Sequence, residues 1–135
     1  MPSGPPVAAI FNTSPDVVDM LRVVLEQAGF VVVSLLTYQI REGAVDLETF
    51  LRQHQPNVVV YDIAPPYDAN WRLFQHVCRT PSMQSCRIVL TSTNAQRVVE
   101  LVGRHQQVYE IVGKPFDLDQ VVSAVKEAAH ARATR

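Results

Sequence analysis

The sequence predicts an α/β domain in three layers, with a doubly wound, five-stranded parallel sheet between two layers of helices. Valine accounts for 22 of the 135 residues, and the valines cluster in short apolar runs, which is typical of strands buried on both faces. Helical patterns separate these runs, and strict alternation of strand and helix favours a parallel sheet. Because crossover connections are right-handed, the expected strand order is 2-1-3-4-5.

Five apolar runs bounded by turn residues predict the strands. They cover residues 7–11, 30–36, 58–61, 87–90 and 109–112. Each run is too short to cross a bilayer, so we expect no membrane association.

Five amphipathic patterns predict the helices, at residues 15–28, 46–53, 71–79, 95–104 and 117–131. The first begins after Ser14, a favourable N-cap, has Pro15 in its first turn and stops at Gly29. The last begins at Asp117, where Gln120 can complete a capping box. Residues 37–45 are predicted to form a long loop.

Length and charge restrict the classes of function. A chain of 135 residues forms one domain, which we place at residues 7–130 between a flexible lead (1–6) and a tail (131–135). The net charge of -1 argues against nucleic-acid binding, which requires an excess of Lys and Arg.

The two cysteines, Cys78 and Cys86, are too few for a disulfide framework. In the absence of a secretory signal, they predict reduced thiols and a cytoplasmic location. Together with His76 they match no standard zinc-binding spacing, so we expect no zinc site.

Polar residues follow four of the predicted strands, at the edge where parallel sheets bind ligands. They include Asn12 after the first strand, Asp62 after the third, Thr91 after the fourth and Lys114 after the fifth. A buried carboxylate needs a partner, and Lys114 is the obvious candidate for Asp62. Such a carboxylate could accept a phosphoryl group as an acyl phosphate, whose oxygens the amine and hydroxyl would bind. A purely structural ion pair is the alternative interpretation.

These residues, with Lys-Pro-Phe at 114–116, resemble the receiver domain of bacterial response regulators, which has a flavodoxin-like fold. The resemblance implies that Asp62 is the phosphoacceptor, Thr91 the switch hydroxyl and Lys114 the lysine of the site. It also implies Mg²⁺ as cofactor, a histidine kinase or phosphotransfer protein as partner, and no enzymatic activity of the domain itself. Pro66 matches a proline of the same family.

The sequence departs from the receiver pattern where the metal should bind. Two acidic residues normally end the first strand, and Asn12 and Thr13 replace them. The remaining ligands implied by the resemblance are Asp62 and the backbone carbonyl of Ala64. Because Mg²⁺ prefers carboxylates, we expect it to bind weakly or not at all.

Two further departures concern the switch and the segment after Pro66. Ile111 stands where the family has its aromatic switch residue, Tyr109 lies too far back to substitute, and residues 68–70 replace an acidic residue followed by glycine.

Two functions stay open: an atypical receiver with impaired phosphorylation of Asp62, and a pseudo-receiver that acts by protein contact alone. A phosphatase of the haloacid-dehalogenase type is excluded, because Ala64 replaces the acidic residue that such an enzyme needs. A flavin-binding function is disfavoured, because the loop after the first strand contains no glycine.

The resemblance also implies an interaction surface formed by the fourth helix, fifth strand and fifth helix. Its charges are mixed in sign, which suits a self-complementary homodimer contact. The charged residues are Arg97, Glu100, Arg104, Lys126 and Glu127.

Overall fold

The structure is a computed structural model that describes residues 4–103, 108–113 and 117–133. It confirms the predicted sheet: five parallel strands lie in the order β2-β1-β3-β4-β5. The strands are β1 (Val7–Asn12), β2 (Val31–Leu36), β3 (Val58–Asp62), β4 (Arg87–Ser92) and β5 (Val108–Gly113).

Helices connect the strands and cover the sheet. They are α1 (Pro15–Gln27), α2 (Thr37–Arg41), α3 (Leu47–His54), α4 (Tyr67–Cys78), α5 (Ala95–Val102) and α6 (Leu118–Ala133), and a 3-10 turn spans Pro81–Ser85. In the ranges given above, no helix is both long and apolar enough to cross a membrane.

Two helices differ from the prediction by more than two residues. The segment predicted as a loop contains α2, because the Gln39 side chain accepts the Leu36 N–H at 2.9 Å and the Glu42 N–H donates to the Tyr38 carbonyl at 2.9 Å. Helix α4 begins at Tyr67, four residues before the predicted start. The prediction missed the first turn because its residues carry no apolar stripe.

The predicted capping and stop residues of α1 and α6 are confirmed. Ser14 caps α1 by accepting the Val17 N–H at 3.4 Å, and Gly29 follows the helix with a φ of 100°. At the start of α6, the Gln120 side chain accepts the Asp117 N–H at 3.4 Å.

The core lies in two layers, one on each face of the sheet. On one face, the aromatic residues Phe11, Tyr61 and Phe74 pack edge to face, with ring centroids 5.0 to 6.0 Å apart. On the other face, α1 and α6 bury Leu21, Leu25, Val121 and Val125. Because both faces are covered, β3 is buried along its whole length and carries its terminal carboxylate into a buried position.

Candidate functional site

The candidate site forms where β3 and β4 end side by side. Asp62 and Thr91 are register partners in the sheet, so their side chains emerge at the same edge. The Thr91 hydroxyl donates to Asp62 Oδ1 at 2.6 Å, and only 4% of Asp62 and 1% of Thr91 are exposed. The sequence prediction that these two residues meet is therefore confirmed, with the hydroxyl donating to a buried carboxyl group.

Backbone and side-chain bonds hold the two strand ends together beyond this pair. The Ile63 N–H donates to the Thr91 carbonyl at 2.9 Å. The buried Ser92 hydroxyl donates to the Ile63 carbonyl at 2.9 Å and accepts the Asn94 N–H at 3.2 Å. The backbone segments that follow Asp62 and Thr91 are therefore held together by hydrogen bonds.

The two residues at the end of β1, Asn12 and Thr13, are both neutral and differ in burial. Asn12 is buried, and its side-chain oxygen accepts the Ser14 N–H at 2.9 Å, which stabilises the turn into α1. Thr13 is exposed. The Asn12 side chain therefore stabilises the turn before α1.

The carbonyl of Ala64 is also engaged. The Asn70 side-chain amide, from the first turn of α4, donates to it at 2.6 Å. The sequence shows that the segment around Asn70 is altered but does not reveal this contact, because the contact depends on α4 beginning at Tyr67.

The donor set does not fit Mg²⁺. This cation favours carboxylate oxygens in near-ideal octahedral geometry, and the edge offers one carboxylate beside a neutral amide and a backbone carbonyl that already accept hydrogen bonds. Within the described parts of the chain, no group of three His, Cys, Asp or Glu residues could hold a metal ion.

A clasp, which we define as the pairs Tyr67–Thr93 and Asp68–Arg97, joins the start of α4 to the segment leading into α5. The hydroxyls of Tyr67 and Thr93 are hydrogen-bonded at 2.7 Å, and the Arg97 guanidinium lies 2.6 Å from the Asp68 carboxylate. Arg97 also lies 3.6 Å from Glu100 on its own helix. The clasp links the segments that follow Asp62 and Thr91.

Several predicted site residues fall outside the described residues. Lys114, with the other residues of 114–116, is one of them, and so is Arg104 of the predicted interaction surface. Ile111, at the position of the aromatic switch, is half-buried and pairs with Leu90 of β4.

The two cysteines are buried thiols that form no disulfide in the described part of the chain. Burial, with a smaller contribution from the neighbouring Cys86, raises the pKa of the Cys78 thiol to about 12. His76 lies on the exposed side of α4, whereas Cys78 is buried.

Solved receiver domains share this architecture. A receiver domain protein from Methanospirillum hungatei JF-1 superposes with a TM-score of 0.75 at 14% identity, covering 97% of this chain and 98% of that one. The chain has the receiver-domain fold. A receiver domain protein from Clostridium thermocellum gives a TM-score of 0.72 at 11% identity, covering 96% of this chain and 98% of that one.

A third structure, a response regulator from Thermotoga maritima, gives a TM-score of 0.69 at 19% identity, covering 93% of this chain and 98% of that one. No protein-family model and no curated protein sequence matches the chain.

Proposed function

We propose that the chain is an atypical receiver domain of two-component phosphorelay signalling, with Asp62 as its phosphoacceptor. The observation that carries the proposal is the 2.6 Å hydrogen bond from Thr91 to Asp62, buried at adjacent strand ends. It pairs a nucleophilic carboxylate with a hydroxyl that can bind a phosphoryl oxygen. The proposed role is that of a signalling domain and not of an enzyme.

The proposed chemistry is transfer of a phosphoryl group from a phosphohistidine of a kinase or phosphotransfer protein. An Asp62 carboxylate oxygen attacks phosphorus, the new P–O bond forms, and the P–N bond to the donor imidazole breaks with the electron pair leaving on nitrogen. The Thr91 hydroxyl then turns its hydrogen to a phosphoryl oxygen, and Lys114 is proposed as the balancing cation.

We propose that Mg²⁺ contributes little to this transfer. A divalent cation normally neutralises the charge that develops on a phosphoryl group. The edge of the sheet supplies a single carboxylate from β3, Asn12 is bound to the α1 turn, and the Ala64 carbonyl is bound to Asn70. Transfer is therefore expected to be slow and largely independent of Mg²⁺.

The second candidate is a pseudo-receiver that signals through protein contact without phosphorylation. The engagement of Asn12 and of the Ala64 carbonyl favours it, because both groups are already satisfied within the chain. The near-complete burial of Asp62 supports it as well, because a phosphodonor needs access to the carboxylate.

For the partner surface we propose the face formed by α5, β5 and α6. Glu100, Lys126 and Glu127 are exposed on it, and 53% of Val99 is exposed. Arg97 lies within ion-pair distance of Asp68 and Glu100, so its guanidinium is less available to bind a partner protein. A homodimer through this face would show as twice the monomer mass in light scattering, and a monomer at high protein concentration would contradict it.

The proposed location is the cytoplasm. It rests on the two buried cysteines, which are present as thiols, as is typical of a reducing compartment.

The test of the phosphoacceptor is NMR of ¹⁵N-labelled protein with beryllofluoride, a mimic of the phosphoryl group, in the presence of Mg²⁺. We expect shifts at the amides of Ile63, Ser92 and Asn94, which surround the Asp62–Thr91 pair, and no shifts in Asp62→Asn. An unchanged wild-type spectrum at millimolar Mg²⁺ would refute phosphorylation of Asp62 and leave the pseudo-receiver.

A further inference from the structure

We propose that Asn70 replaces the divalent cation at the Ala64 carbonyl, so that the segment between β3 and α4 is held by a side-chain amide in place of a metal. The inference rests on the receiver-like site proposed above, but not on phosphorylation of Asp62. Asn70 is then a positioning residue: by occupying the Ala64 carbonyl, it lowers the affinity of the site for a divalent cation.

Asn70 makes two hydrogen bonds that can hold the segment between β3 and α4 without a metal. Its backbone N–H donates to the Pro66 carbonyl at 3.1 Å, and its side-chain amide reaches back to the Ala64 carbonyl at 2.6 Å. These two bonds close the segment 64–70 onto the first turn of α4. Pro66, at the N-cap position, makes no side-chain capping bond, so the hydrogen bonds of Asn70 hold this segment.

Charge explains why the amide and a cation compete. The N–H group places a partly positive hydrogen against the carbonyl oxygen, which is the same electrostatic interaction that a cation makes there. A carbonyl oxygen has two lone pairs, so the exclusion is partial. A cation would also have to use Asn12, whose side-chain oxygen is bound to the Ser14 N–H.

The inference predicts that acidic residues alone restore the metal site incompletely. In Asn12→Asp/Thr13→Asp, the carboxylates return but the Asn70 amide still occupies the Ala64 carbonyl. Adding Asn70→Ala frees that carbonyl. Because a hydrogen bond contributes about 0.5–1.5 kcal/mol, the triple variant should bind Mg²⁺ about two- to thirteenfold more tightly than the double variant.

The matched control is Asn57→Ala in the same double variant. Asn57 is also an asparagine whose side chain binds backbone, since it accepts the Val7 N–H at 2.8 Å, but it precedes β3 and so lies at the opposite edge of the sheet from Ala64. We expect this control to bind Mg²⁺ as the double variant does. Titration with Mg²⁺ alone, followed by amide chemical shifts, measures all three affinities without a phosphodonor.

Amide hydrogen exchange gives a second measurement that a general loss of stability would not reproduce. Asn70→Ala alone should raise exchange at the amides of Ala64, Tyr67 and Asp68, since residues 65 and 66 are prolines without an amide hydrogen. In the triple variant Mg²⁺ should lower it again as the cation takes over the carbonyl. If Asn70→Ala does not fold, Asn70→Leu removes the amide at similar volume. Equal Mg²⁺ affinities of the double and triple variants, or exchange that Mg²⁺ leaves unchanged, would overturn the inference.

Discussion

Replacing Thr91 by valine tests the buried pair at the centre of the site. Valine has nearly the shape of threonine but no hydroxyl, so the change removes the 2.6 Å bond to Asp62 without leaving a cavity. A hydrogen bond to a charged group contributes about 1.5–3 kcal/mol. We therefore expect Thr91→Val to lower the free energy of unfolding by that amount.

The charge of Asp62 sets this magnitude, and a double-mutant cycle isolates it. In an Asp62→Asn background the hydroxyl would donate to a neutral amide oxygen, where such a bond contributes about 0.5–1.5 kcal/mol. The cost of Thr91→Val should therefore fall by about 1 kcal/mol in that background.

The assay is urea unfolding monitored by the fluorescence of Trp71, the single tryptophan, which is 9% exposed and packs on Phe74. With a slope of about 2 kcal/mol per molar urea, a loss of 2 kcal/mol lowers the midpoint by about 1 M. Thr93→Val, at an exposed hydroxyl of the clasp, is the control and should cost less than about 0.5 kcal/mol. An equal cost of Thr91→Val in both backgrounds would refute the reasoning.

Three other perturbations follow from contacts outside the pair. Arg97→Ala breaks the exposed ion pair with Asp68, so urea unfolding should show a loss of at most about 1 kcal/mol that shrinks in high salt; a larger, salt-independent loss would contradict this. The Ser82 hydroxyl and N–H bonds hold the pKa of Glu48 below its usual value of 4.5. The stability advantage of the wild type over Glu48→Gln should therefore be full above about pH 5 and decline as the pH falls through the lowered pKa, whereas a difference that grows in acid would be the wrong sign. Burial raises the pKa of Cys78, so native protein at pH 8 should resist iodoacetamide and react only in urea; rapid labelling of the native thiol would contradict its burial.

The fold was predictable because every strand carries its own signal. Runs such as 58–61 are apolar without alternation, which is what burial on both faces requires, and right-handed crossovers restrict the order of the strands. The pairing of Asp62 with Thr91 followed from the same reasoning, since both residues end strands that were predicted to lie side by side. The register of β3 and β4 confirms it.

The contacts that modify the site were not predictable in the same way. Helix α2 and the first turn of α4 form through hydrogen bonds of Gln39 and Asn70 and not through an apolar stripe, so periodicity does not reveal them. The clasp joins Tyr67 to Thr93 across 26 residues, a spacing that no local pattern encodes. The sequence did show where the metal ligands were missing, but not that Asn70 takes up the remaining carbonyl.

The central claim is that Asp62 accepts a phosphoryl group at a site that depends little on Mg²⁺. The most direct measurement is intact-protein mass after incubation with a small phosphoryl donor, such as phosphoramidate, in EDTA and in Mg²⁺, with Asp62→Asn as the control. The account predicts a slow gain of one phosphoryl group that Asp62→Asn abolishes and that Mg²⁺ leaves nearly unchanged. A wild-type protein that gains no phosphoryl group, or gains it only with Mg²⁺, would contradict the account.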